Sequence, residues 1–124
     1  MKYLKIIFFC MTAYLSFSTS VFAAATIDGT YTGKAYDGGK TKLHIKNLGN
    51  GKVSLNISTV HGDYSGSIDD STANREGNIA TFMGEDSCKL VIEFKGKKAT
   101  VAEESCSYYH GMQSTFDGVY SKKK

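Results

Sequence analysis

The sequence has 124 residues, 41% hydrophobic and 22% charged, which fits one globular domain and is too apolar for a disordered chain. Thirteen glycines with no proline and no tryptophan favour short strands joined by tight turns. The formal charge is +3, but Lys2 and Lys5 lie in an address segment; without them thirteen basic residues face twelve acidic ones, so the basic excess expected of a nucleic-acid binder is missing.

Residues 1–23 read as that address. Lys2 and Lys5 form a positive start, residues 4–15 are an almost unbroken apolar run, and Val21 and Ala23 supply the small side chains of a cleavage site. The run is too short to span a bilayer comfortably and is followed at once by Ser16, Ser18, Thr19 and Ser20. A signal peptide cleaved after Ala23 is expected, with Ala25 as second choice, leaving a single domain at residues 24–124. Short signals of this shape suit bacterial export, so the periplasm is the first expected location and the medium the second. Cys10 is a poor lipid-attachment site, because bulky Phe8 and Phe9 precede it in the middle of the apolar run. No stable membrane anchor is expected once the signal is gone.

Period-two alternation then recurs along the chain, and helical periodicity is nearly absent. A strand at residues 30–36 ends in the hairpin signal Asp37-Gly38-Gly39. Residues 40–47 carry Leu43 and Ile45 inward and His44 outward, and Gly49-Asn50-Gly51 turns the chain into residues 52–59 with Val53, Leu55 and Ile57 inward. His61-Gly62 leads to a strand at residues 63–68. Residues 69–77 are polar and read as the longest loop, residues 79–83 as the next strand, and residues 114–121 as the last.

Between those two lies a hairpin whose register can be reasoned out. With Cys10 removed, Cys88 and Cys106 are an even pair in an oxidising compartment, and a disulfide is expected. A two-residue turn at Gly96-Lys97 sets Phe94 against Ala99 and Ile92 against Val101, with the apolar side chains on one face. Continued without a break, that register places Cys88 opposite Ser105, so an extra residue is predicted as a bulge near Glu103-Glu104-Ser105. A three-residue turn is the alternative; it pairs the cysteines directly but sets Leu90 against Glu104.

The ends of the domain echo one another, as Ile27-Asp28-Gly29-Thr30-Tyr31 and Phe116-Asp117-Gly118-Val119-Tyr120. In each the glycine permits a tight bend and the tyrosine returns a ring to the interior. If first and last strands pair, the sheet closes and loses its edges. The expected fold is therefore all-β, a small antiparallel barrel of about eight strands with one disulfide, and a two-sheet sandwich is the alternative.

Chemistry-bearing residues are few. Tyr108, Tyr109 and His110 follow the disulfide directly, and two tyrosines with an imidazole on a stapled loop resemble the side chains enriched at protein interfaces. The bland reading has a tyrosine capping the barrel end and His110 bonding a turn carbonyl. Glu85-Asp86, Glu103-Glu104 and Asp117 offer carboxylates, but adjacent acids on a small barrel read as solvated strand ends, and no nucleophile elbow appears. His61-Gly62-Asp63 supplies two metal ligands without a third, so no metal or cofactor is expected.

The pattern Cys88, Leu90-x-Ile92-x-Phe94, Val101, Cys106-x-x-Tyr109-His110-Gly111 and Phe116-x-Gly118-x-Tyr120 resembles small exported bacterial β domains, over about the last third of the chain. The format of signal, single disulfide and small barrel is also similar to periplasmic lysozyme inhibitors. The Ser-Gly-x-x-Tyr inhibitory loop of the c-type inhibitors is missing here, Ser65-Gly66-Ser67 being only an echo, so the likeness transfers no functional residue. The expectation is a non-enzymatic exported domain that binds a protein, in its most concrete form a peptidoglycan hydrolase. The contacts would come from Tyr108, Tyr109 and His110 or from the polar stretch at residues 69–78. A small-ligand (lipid or glycan) carrier is the alternative and requires a hollow interior.

Overall fold

Along β2 (Lys40–Gly49), Thr41, Leu43 and Ile45 are buried while Lys40, Lys42, His44 and Lys46 are exposed. The same alternation buries Val53, Leu55, Ile57 and Thr59 of β3 (Lys52–His61) and Leu90, Ile92 and Phe94 of β6 (Lys89–Lys95). A strand with one apolar face must cover it, and eight such strands do so by curling into a tube. The computed structural model describes residues 26–123; the expected signal segment and cleavage site, and Cys10, lie outside the described residues. With β1 (Gly29–Ala35), β4 (Tyr64–Glu76), β5 (Ile79–Met83), β7 (Lys98–Glu104) and β8 (Gly118–Lys122), the strands form a closed antiparallel barrel in chain order. Its interior is one cluster in which Tyr31, Tyr120, Phe116, Leu43, Leu55 and Ile92 are among the largest fully buried side chains.

The repeated apolar-Asp-Gly-x-Tyr element closes the tube, and it does so twice. The Tyr31 hydroxyl donates to the Ile27 carbonyl at 2.8 Å, and the Tyr120 hydroxyl donates to the Phe116 carbonyl at 2.7 Å. The Asp28 carboxylate accepts the Asn47 N–H, and the Asp117 carboxylate accepts the Glu103 N–H, so each aspartate also pins a neighbouring strand. Strands β1 and β8 run antiparallel, with Tyr31 opposite Lys122 and Ala35 opposite Gly118, which puts the two corners at opposite ends of the closing seam. A Cβ on Gly118 would sit 2.6 Å from the Lys34 carbonyl oxygen, so this approach of the strands needs glycine.

These buried phenols make the barrel sensitive to alkali. Burial, helped by Glu103 and Asp117, pushes the Tyr120 hydroxyl well above the ordinary tyrosine value near 10, and burial with Asp28 raises Tyr31. Above about pH 10 the unfolded chain loses these protons while the folded one keeps them, so stability is full below that pH and falls as pH rises toward the folded values. The expected slope is up to roughly 1.4 kcal/mol per pH unit from Tyr120, with a smaller share from Tyr31, measured as a urea midpoint between pH 9 and 11. Tyr120→Phe should remove the larger part of it; an unchanged slope would refute the assignment.

Three details differ from the sequence reading. Residues 69–76 are not a loop: β4 continues to Glu76, paired to β3 from Lys52–Asn74 to His61–Tyr64, and only Gly77 of the expected loop lies in a turn. Ile68 and Ala73 both face the core although five residues apart, an odd spacing that strict alternation forbids. A register shift absorbs the extra residue at Asp69 and Asp70, where Asp70 takes a left-handed φ of 47° and its N–H donates to the Asn56 side chain. In the hairpin, Phe94 pairs with Ala99 and Ile92 with Val101 as expected, but the ladder runs unbroken to Lys89–Glu104. The extra residue is Ser105, at φ 59° just past the strand, and it brings Cys106 to a Cα–Cα distance of 4.4 Å from Cys88 in the disulfide. Finally, β8 begins at Gly118, because residues 114–117 form a cap and a corner, and a short helix α1 (Ser107–His110) precedes them.

Candidate binding surface at the helix end

One end of the barrel carries the β1–β2, β3–β4 and β5–β6 connections and the long β7–β8 crossing with α1. Strand β5 pairs with only the last three residues of β4, so the wall between them opens toward this end. Helix α1 lies in the opening against β4. A Cβ at Gly66 would collide with the Cβ and Cα of His110, so the helix seats there only because that position has no side chain.

The anchor of this plug is Glu103. Its carboxylate accepts from His110 Nε2 at 2.7 and 2.9 Å and from the Phe116 N–H at 2.8 Å. His110 Nδ1 donates to the Gly111 carbonyl at 2.6 Å, and the imidazole edge rests on the Phe116 ring. Both ring nitrogens thus face oxygen acceptors, an arrangement the imidazolium satisfies completely. The side chains of His110 and Glu103 are 5% and 11% exposed, so the pair is buried. The Ser114 hydroxyl donates to the His110 carbonyl and ties the next turn to the same point.

Of the three predicted contact residues, the structure presents one. Tyr108 is 60% exposed, its ring set edge-on to Tyr109. Tyr109 packs against Phe82 and the core, and its hydroxyl accepts the Glu85 N–H at 2.9 Å. His110 is turned inward on Glu103. Tyr109 and His110 therefore hold Tyr108 in place.

Around Tyr108 the same end exposes Tyr36, Val60, Tyr64, Met83 and Met112, so it carries six of the nine large hydrophobic side chains exposed among the described residues. Met112 is 87% exposed and Tyr36 73%, in a protein whose strands otherwise alternate cleanly. The frame beneath them is stiff. Asp86, Ser87 and Ser105, three non-glycine residues at left-handed φ, flank the disulfide, while His61 joins Asp37 at 3.5 Å and the Gln113 carbonyl at 3.3 Å. Sequence reasoning missed Tyr36, Tyr64, Met83 and Met112, which come from four separate connections. It also took Glu103 for a solvated strand end. Only Met112, stranded between Gly111 and Gln113, carried a local signal of exposure.

Two hollows lie on the outer wall. One of about 540 Å³ sits beside the β2–β3 turn, lined by Asn50, Lys52, Asn74, Arg75, Glu76 and Ile79. The other, of about 80 Å³, lies between Lys42, His44 and Asp69. Inside the barrel, Thr41 and Thr59 face each other across the β2–β3 ladder with buried hydroxyls, that of Thr41 beside the Tyr120 phenol. Among the described residues no group of three or more His, Cys, Asp or Glu side chains is placed to hold a metal ion, and no helix is long and apolar enough to cross a membrane.

Fold and site together define a closed eight-stranded antiparallel barrel whose disulfide-stapled end is plugged by a short helix. No protein-family model, curated protein or solved structure matches the chain.

Proposed function

We propose that this is an exported, non-catalytic binding domain that engages another protein through the plugged end of the barrel, with Tyr108, Met112 and Met83 as its central contacts. The observation that carries the reading is the gathering of exposed tyrosine and methionine side chains on that one end. Tyrosine anchors interfaces with large area at low entropy cost, and methionine adapts to an irregular partner surface. The disulfide suits an oxidising compartment, and the signal-like first segment suits export to the periplasm or the medium. A non-catalytic role is supported by His110, whose two ring nitrogens are both engaged inside the fold, on the Gly111 carbonyl and the Glu103 carboxylate. The interior, filled by Tyr31, Tyr120 and Phe116, favours a surface binder over a small-ligand carrier.

Peptidoglycan hydrolases are the partner class to test first, because a rigid apolar knob on a small barrel can block a substrate cleft. The oxidised domain would be titrated against purified hydrolases of several bond specificities, following both complex formation and enzyme activity. A one-to-one complex weakened about tenfold or more by Tyr108→Ala or Met112→Ala is expected. Binding that ignores both substitutions would remove the site, and no hydrolase bound at micromolar concentration would remove the partner class.

A further inference from the structure

The near-neutral balance of the domain conceals a segregation of charge. On the outer face of β2, Lys40, Lys42, His44 and Lys46 follow one another at every second residue, all exposed. Lys34 of β1 stands directly opposite Lys40. Along β1, β2 and β3 there is not one aspartate or glutamate. Two carboxylates border this wall: Asp69, across the small hollow from Lys42 and His44, and Asp28, which accepts the Asn47 N–H just past Lys46. Other carboxylates, Asp37, Asp63, Glu85, Asp86 and Glu104, lie at the plugged end. Among the described residues no lysine makes an ion pair within 4.0 Å, which leaves these ammonium groups able to meet an anionic ligand.

We infer that this wall is a second binding surface, for a linear anionic polysaccharide laid along β2. The rise of an antiparallel strand spaces alternate side chains by about 7 Å, so Lys40 to Lys46 make a line of charge roughly 20 Å long. A single file on a convex wall matches a linear chain of sulfate, phosphate or carboxylate groups better than a flat surface does. Between the lysines, Thr32, Asn56 and Ser58 offer hydroxyl and amide groups to sugar hydroxyls. No phenylalanine, tyrosine or tryptophan ring is exposed on the wall's face to stack bases, the His44 imidazole standing alone there, and no apolar side chain stands in its centre to enter lipid. Such a surface would hold the domain on an anionic polymer while the plugged end stays free for its protein partner. It does not depend on that partner being a hydrolase.

The test uses the oxidised domain and heparin as a sulfated linear probe, with affinity measured from low salt to about 0.15 M, where exposed charges act over about 8 Å. The variant K40Q/K42Q/K46Q removes the line, and K95Q/K97Q/K98Q removes the same charge from the β6–β7 turn. All six side chains are exposed, and circular dichroism checks that both variants fold. The expected result is salt-dependent binding that falls tenfold or more in the first variant and less than twofold in the second. Equal loss in both would reduce the effect to net charge and overturn the proposal, as would no binding at 0.15 M salt. Tighter binding to phosphatidylglycerol vesicles, or to single-stranded DNA, would replace the polysaccharide by a membrane or a nucleic acid.

Discussion

Replacing Glu103 with alanine should lower folding stability by about 1–3 kcal/mol for each buried hydrogen-bond donor it leaves without a partner. The carboxylate receives His110 Nε2 and the Phe116 N–H, so its loss strands a buried ring nitrogen and a backbone donor together. Against a total stability of roughly 5–15 kcal/mol for a domain of this size, that is a large fraction of the whole. Urea denaturation measures it. The double variant E103A/H110F separates the pair from its surroundings: once the imidazole is gone, the loss on removing Glu103 should shrink by 1 kcal/mol or more. A loss below about 1 kcal/mol in E103A, or strict additivity in the double variant, would mean that the plug is held by packing alone. The pair also sets the position of Tyr108 two residues before His110, so the same variant should weaken partner binding in whatever fraction stays folded.

Removing the disulfide comes next. The variant C88A/C106A opens a cross-link between residues 18 apart, which in the chain-entropy account is worth about 3 kcal/mol. The consequence should be local as well as global. The staple joins the start of β6 to the entry of α1, beside Asp86, Ser87 and Ser105 in left-handed conformations that the chain avoids when free. Hydrogen exchange should therefore rise first at the β5–β6 connection and in α1, before the β2–β3 ladder opens. Uniform exchange through the whole barrel would show that the plug and the barrel open as one unit. The thermal midpoint of the oxidised protein, measured with and without reductant, gives an independent reading of the same cross-link.

Much of the architecture was legible in the chain because strand alternation is a local property. Leu43 and Ile45, Val53 to Ile57, and Leu90 to Phe94 each declare an inner face within a few residues, and the Gly96-Lys97 turn fixes the register of its hairpin. The matching Asp-Gly-Tyr elements even announced that the first and last strands meet. Where alternation is broken by one residue, local reading stops. The five-residue step from Ile68 to Ala73 concealed the second half of β4, because the shift that reconciles them is set by Asn56 on the neighbouring strand. A four-residue helix such as α1 is too short for any periodicity to reveal.

The site divides along the same line. By itself the sequence determined the antiparallel strands with their inner faces and the prominence of the segment after Cys106, which depend on neighbours in the chain, and it pointed to the disulfide; the closure of β1 on β8, which settles barrel against sandwich, came from the tertiary structure. Only the tertiary structure decided that His110 turns inward to Glu103, that Gly66 of a distant strand makes room for it, and that of Tyr108, Tyr109 and His110 only Tyr108 is exposed. It also decided that Tyr36, Tyr64 and Met83 join Tyr108 on one end, and that lysines which nearly cancel in the overall charge stand together on one wall. Side-chain direction, and the company a residue keeps across a closed sheet, are fixed by contacts between segments far apart in sequence, and no local pattern encodes them.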